Sequence, residues 1–158
     1  LVNDIWGLKY DTRMADVIAK SKKACCLMHN REEAQYTDFR REIMGDLMET
    51  LQLAQKAGIA ADAIMLDPGV GFGKTYEHNL MVLHHLDDFN VLGYPVLLGT
   101  SRKSVIGLTL DVPAAERTAG TVATTAMAVM KGCAFVRVHD VKENVHAIKM
   151  MEAVLTAK

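Results

Sequence analysis

Residues 64–75 read IMLDPGVGFGKT, and the order of residue types in that stretch decides the fold class. A short apolar run, Ala63–Asp67, closes on an acid. Pro68 and three glycines at 69, 71 and 73 then describe a tight backbone path, and helical spacing resumes beyond Thr75. A strand apolar on both faces, a close-fitting loop and a helix make one β/α unit. Working outward, Val2–Ile5, Ala24–His29, Val96–Thr100 and Phe135–Asp140 are further short apolar runs ending in polar residues. Five strands, each followed by a helix, imply parallel pairing. Two α/β architectures fit: an open doubly wound sheet, or part of a (β/α)8 barrel. A complete barrel takes about 250 residues. A chain of 158 residues is short of that by roughly three β/α units.

The intervening stretches have helical periodicity. Phe39, Ile43, Leu47, Leu51 and Ala54 share a face, with Thr37 placed to cap and Gly58 to stop the helix. Leu80, Leu83 and Leu86 mark a second helix. Pro113 opens a third that runs through Val122, Ala126 and Val129 to Gly132. Val145, Ile148, Met151 or Glu152, and Leu155 mark the last, and Met14, Val17 and Ile18 one near the start. No repeat, low-complexity tract or Gly/Ser linker intervenes, so residues 1–158 read as one domain.

Half the residues are apolar, 23% are charged and the net charge is -1. That excludes a disordered chain, and no basic excess advertises nucleic acid. The apolar runs are too short to span a bilayer. LVNDIW at the start carries no signal pattern, so a soluble, cytoplasmic protein is expected. Cys25, Cys26 and Cys133 lack metal-ligand spacing and read as buried thiols in a reducing compartment.

Polar residues gather where the strands end: Asn3-Asp4, His29-Asn30, Asp67, Thr100-Ser101-Arg102-Lys103 and Arg137-His139-Asp140. In α/β proteins that edge binds ligands. Asp67 can accept two N–H bonds from a guanidine-like ring edge, or cap its own turn. GFGKT invites a phosphate-loop reading, but GxxxxGK[ST] needs Gly where Pro68 stands. GxGxxG fails too, at Lys74. In GTSRKS, Ser101 or Ser104 can cap a helix start, and Arg102 and Lys103 add positive charge for an anion. Arg137 and His139 lie on one side of the last strand. His29 is either a pocket residue or a structural one, and Met28 beside it is the methionine placed to touch a ligand. His78, His84, His85 and His146 have no i,i+4 partner, so no HExxH-type metal site is expected. No GxSxG supports nucleophilic hydrolysis.

Together, NDI (3–5), CLMH (26–29), LDPGVGFGK (66–74), GTSRKS (99–104), AERTAGT (115–121) and RVHDV (137–141) resemble the bacterial dihydropteroate synthases, over Val2 to Lys158. The resemblance implies a (β/α)8 TIM-barrel fold of which this chain holds strands four to eight. It implies a transferase of folate biosynthesis, the sulfonamide target, joining p-aminobenzoate to a dihydropterin methyl diphosphate. By that resemblance the pterin pocket is Asn3, Asp67 and Lys103, walled by Met28, Phe72 and Gly99. Arg137 and His139 hold the diphosphate, Ser104 lies on the aminobenzoate side, and Lys103, Asp67 and Arg137 are the catalytic set.

The family's first three strands, with a loop bearing magnesium and diphosphate contacts, have no counterpart here. Magnesium is therefore expected in the full-length family but not on this chain, and no organic cofactor is implied. The isolated chain is expected to be inactive or nearly so. Its apolar strand edges predict self-association or a homodimer. A pterin-dependent methyltransferase domain and a non-catalytic pterin-binding module are the rival readings; GTSRKS with RVHDV argues against the first, whose chemistry has no diphosphate to hold.

Overall fold

The structure, a computed structural model, describes residues 1–157. Five strands alternate with helices: β1 (Val2–Asp4), α1 (Met14–Ser21), β2 (Cys25–Met28), α2 (Phe39–Ala57), β3 (Ile64–Asp67) and α3 (Tyr76–His84). They continue as β4 (Leu97–Leu98), α4 (Ser104–Leu110), α5 (Thr118–Met130), β5 (Phe135–Val136) and α6 (Val141–Thr156). β1 pairs with β2 and β2 with β3, both parallel, and β4 pairs with β5 parallel. A parallel bridge between Leu66 and Val96 joins the two groups, with the Leu66 amide donating to the Pro95 carbonyl at 2.9 Å.

Spatial order therefore follows chain order. A doubly wound sheet reverses its strand order at a switch point, and no reversal occurs along β1 to β5. Unreversed order is that of a barrel wall with its helices on one side. The five β/α units form part of a (β/α)8 barrel.

Alternation then assigns each strand residue to a face. Cys25, Leu27, Ile64, Leu66, Val96 and Leu98 join the helix-side core with Ile43, Leu47, Ala54, Val82 and Leu86. Burying each large aliphatic side chain stabilises the fold by about 1.5–3 kcal/mol. The opposite face carries Asn3, Cys26, Met65 and Asp67, matched across the register Asn3↔Cys26↔Met65. Gly99 and Arg137 extend this face past the ends of β4 and β5, two residues beyond the Leu97↔Phe135 pair.

Several helix expectations need correction. Asp38, not Thr37, caps α2: its carboxylate accepts the Arg41 amide, while Gly58 closes the helix at φ 81° as expected. Pro113 precedes a short 3-10 turn, Ala114–Glu116, and the long helix begins only at Thr118. α5 buries Thr121, Thr125 and Ala128, with Val122, Ala126 and Val129 only half-buried. Thr125 donates to Asn144 of α6 at 2.6 Å, so this polar face is internally satisfied. In α6 the wholly buried residue is Asn144, while Val145, Val154 and Leu155 are exposed. Cys133 is half-buried rather than buried. Among the described residues no helix is long and apolar enough to cross a membrane.

Candidate active site

Arg137, just past β5, reaches across the strand ends to β1 and β3. Its Nη1 donates to Asn3 Oδ1 at 3.1 Å, across 134 residues of chain, and its Nη2 to Asp67 Oδ2 at 3.3 Å. Asp67 is almost wholly buried, and its other oxygen accepts the Gly69 amide at 2.8 Å. Burial pushes this carboxyl above its ordinary range, opposed by the Gly69 N–H and the charges of Arg137, Lys103 and Lys74. Asn3 and Arg137 are exposed, so the carboxylate forms a floor beneath groups open to solvent.

The loop after β3 supplies a wall. Gly69, Gly71 and Gly73 have φ of 70°, 84° and 52°. A Cβ on Gly69 would overlap the His29 carbonyl. The loop places Phe72 so that its ring centroid lies 4.8 Å from Lys103 Nζ, a cation–π contact. Lys103 also donates to the Val70 carbonyl. Burial lowers its pKa to about 8, with Asp67 raising it and Arg137 lowering it further.

Gly99, Ser101, Lys103, Arg137, Val138 and His139 line a cavity of about 160 Å³. Ser101 Oγ lies 2.8 Å from His139 Nδ1 and accepts the His139 amide at 3.1 Å, which fixes the imidazole at the rim. Asp67, Lys103 and Arg137 thus meet at one site, and His139 stands beside Arg137 in the adjoining cavity. Met28 is fully buried, in register with Asp67.

Other expected residues lie elsewhere or do other work. Ser104 is exposed, forms no cap, and begins α4; Ser101 is the serine on the cavity. Arg102 adopts a left-handed conformation, φ 58°, and turns away to pair with Asp140 at 2.6 Å. Asp4 accepts the Trp6 and Leu8 amides and so anchors its own turn. His29 is structural, held between Asp46 and Lys74. No group of three His, Cys, Asp or Glu among the described residues could hold a metal ion, and the charged groups around the cavity are mostly cationic. These residues do not fit a magnesium site.

The family model described as pterin binding enzyme matches residues 1–139. The chain belongs to the pterin-binding enzyme family. Within it, a dihydropteroate synthase of Clostridium beijerinckii is 53% identical over 156 residues, covering 98% of this chain and 58% of the relative. A dihydropteroate synthase of Clostridium difficile, crystallised in the presence of pteroic acid, superposes with a TM-score of 0.96 at 45% identity. That alignment covers 99% of this chain and 60% of the other. The Yersinia pestis enzyme in a sulfonamide drug complex gives 0.93 at 37% identity, over 99% and 59%. The chain thus spans somewhat under two thirds of the length of the pterin-binding proteins it matches.

Two residues at or beside the site are not singled out by the sequence. Ser101 reads only as one of two alternative caps. Lys74 reads only as part of a failed phosphate-loop motif, and its partner His29 lies 45 residues away.

Proposed function

We propose that this chain is the C-terminal part of a dihydropteroate synthase, and that its strand ends bind a dihydropterin diphosphate and present it to p-aminobenzoate. The observation that carries the reading is the meeting of Asn3, Asp67 and Arg137 beside Lys103, next to a small cavity bearing His139. A buried carboxylate is the natural partner of the guanidine-like edge of a pterin, because ionised oxygens accept paired N–H bonds strongly. Lys103 and Asn3 suit the ring's other heteroatoms, with Met28, Phe72 and Gly99 as walls. Arg137 and His139 suit a diphosphate.

Asp67 Oδ2 is engaged by Arg137. Pterin binding to that oxygen therefore requires the guanidinium to turn toward the cavity, where it meets the diphosphate. The same movement couples the two halves of the substrate. In the reaction the methylene C–O bond breaks, its electron pair leaving with the diphosphate. The p-aminobenzoate nitrogen forms the new C–N bond and loses a proton. Arg137 and His139 stabilise the charge that leaves, while Asp67 and Lys103 hold the ring in line. The chemistry is orientation and electrostatics, not covalent catalysis.

The isolated chain does not turn over substrates at a normal rate on this reading, because the site is open on the side that about 40% of the relatives' length would cover. It acts in the cytoplasm, as one domain, and associates with itself through its exposed apolar strand and helix faces. Calorimetric titration with 6-hydroxymethylpterin and with inorganic diphosphate tests the reading. Both are expected to bind, with Lys103→Ala weakening the pterin and Arg137→Ala the diphosphate, each by at least tenfold. Binding of neither ligand contradicts it.

A further inference from the structure

Lys74 follows the glycine loop and plays no part in the chemistry above. It is partly buried, and its Nζ has three partners: the Gly69 carbonyl at 3.0 Å, the Phe72 carbonyl at 3.0 Å and His29 Nδ1 at 2.8 Å. An ammonium has three donors and no acceptor, so three acceptors match it fully. For His29 to accept at Nδ1 it must carry its proton on Nε2, and that nitrogen lies 2.9 Å from Asp46 Oδ2. Arg31 donates to the same carboxylate oxygen at 2.7 Å, and Asp67 and Lys103 face Lys74 from the site. Burial, opposed by Asp67 and Asp46, sets the Lys74 pKa at about 7, while burial holds that of His29 at about 4.

Around this ammonium the loop carbonyls are divided between cations and a phenol. Gly69 and Phe72 turn to Lys74, Val70 to Lys103, and Gly73 to the Tyr36 hydroxyl at 2.7 Å. Without Lys74, the Phe72 carbonyl loses its donor and the Gly69 carbonyl keeps only the Phe72 amide at 3.1 Å, and the left-handed glycines offer little resistance to rearrangement. We propose that Lys74 is a positioning residue for the ring-binding wall: its ammonium templates residues 69–73, holding Phe72 against Lys103 and the Val70 carbonyl within reach of that lysine. The proposal rests on the pterin reading for its functional consequence, but not for its effect on the loop.

Two measurements on the 158-residue chain, wild type and Lys74→Met, test it. Hydrogen–deuterium exchange should show amides of residues 69–73 exchanging at least tenfold faster in the variant, with β2 unchanged. Calorimetry with 6-hydroxymethylpterin should show at least tenfold weaker binding at an unchanged urea midpoint; a merely structural lysine would move the midpoint and leave the affinity of the folded protein alone. His29→Gln, which keeps a donor for Asp46 and removes one acceptor from Lys74, should shift both readouts less, in the same direction, and carries the comparison if Lys74→Met does not fold. Unchanged loop protection, or equal loss of protection in β2, overturns the proposal. Failure of the wild type to bind the pterin while the loop still loosens contradicts the pterin reading alone.

Discussion

Gly69 and Gly99 face the same site yet should answer the same substitution in opposite ways. Gly69 sits at φ 70°, and a Cβ there would overlap the His29 carbonyl, which is backbone and cannot yield. Gly69→Ala is expected to cost about 3 kcal/mol or more in urea unfolding. At Gly99 the nearest atom to a new Cβ is Arg137 Nη2 at 2.8 Å, the far end of a flexible side chain. Gly99→Ala should change stability by less than about 1 kcal/mol, while displacing Arg137 and altering inorganic diphosphate affinity at least threefold. Equal stability losses would contradict this. The meeting of Asp67, Lys103 and Arg137 is legible in the sequence because each closes or follows an apolar strand, and the ends of parallel strands in an α/β fold share one rim. Asp4, which also closes a strand, instead anchors its own turn. Lys74 is not, since a lysine among glycines looks like a phosphate ligand until the fold brings His29 to it. Ser101 and Ser104 are indistinguishable in the string; the turn at Thr100–Lys103, with Arg102 at φ 58°, decides which one meets His139.

α2 is held at its start and near its middle by polar contacts as well as packing. At its start, Asp38→Ala removes the carboxylate that accepts the Arg41 amide, and should lower stability by about 1 kcal/mol in urea unfolding. Nearer its middle, Asp46 docks the helix onto His29 at the end of β2. His29 stays neutral in the folded chain down to about pH 4, against an ordinary value of 6.5. Between those values the unfolded chain takes up the proton first, so stability falls as pH falls from 6.5 toward 4. Asp46 is held below its ordinary 3.8, with its bonds to His29 and Arg31 outweighing burial, so its contribution is lost at still lower pH. The urea midpoint should therefore drop between about pH 6.5 and about pH 4.5, and drop less in His29→Gln; an equal drop in both would contradict the assignment. All five strands are legible as elements, because each is a short apolar run broken only where the strand reaches the open rim. The buried face of α5 is not legible. Periodicity selects Val122, Ala126 and Val129, but Thr121 and Thr125 can be buried because Arg117 and Asn144 accept their hydroxyl protons. Which polar residues find partners is a property of the packed helices, not of one helix's sequence.

At the scale of the molecule, the five units leave β1 and β5 each paired on one side only among the described residues. Phe135, Val141, Val145, Met150, Val154 and Leu155 are exposed along β5 and α6. Unpaired strand edges beside apolar surface favour association. Sedimentation analysis of the isolated chain should give a concentration-dependent mass above 17.4 kDa; a monomer at every concentration would contradict that. That any barrel formed by this chain must be incomplete is legible from strand count and length, whereas the choice between barrel and doubly wound sheet needs the unreversed strand order. The central claim is that one pterin and its diphosphate lie among Asp67, Lys103 and Arg137. A crystal structure of this chain with 6-hydroxymethyl-dihydropterin diphosphate tests it most directly. The expected result is the amino edge of the ring on Asp67, Phe72 and Lys103 alongside it, and Arg137 turned from Asp67 onto the diphosphate near His139. Ligand bound elsewhere, with Arg137 still paired to Asp67, would contradict the account.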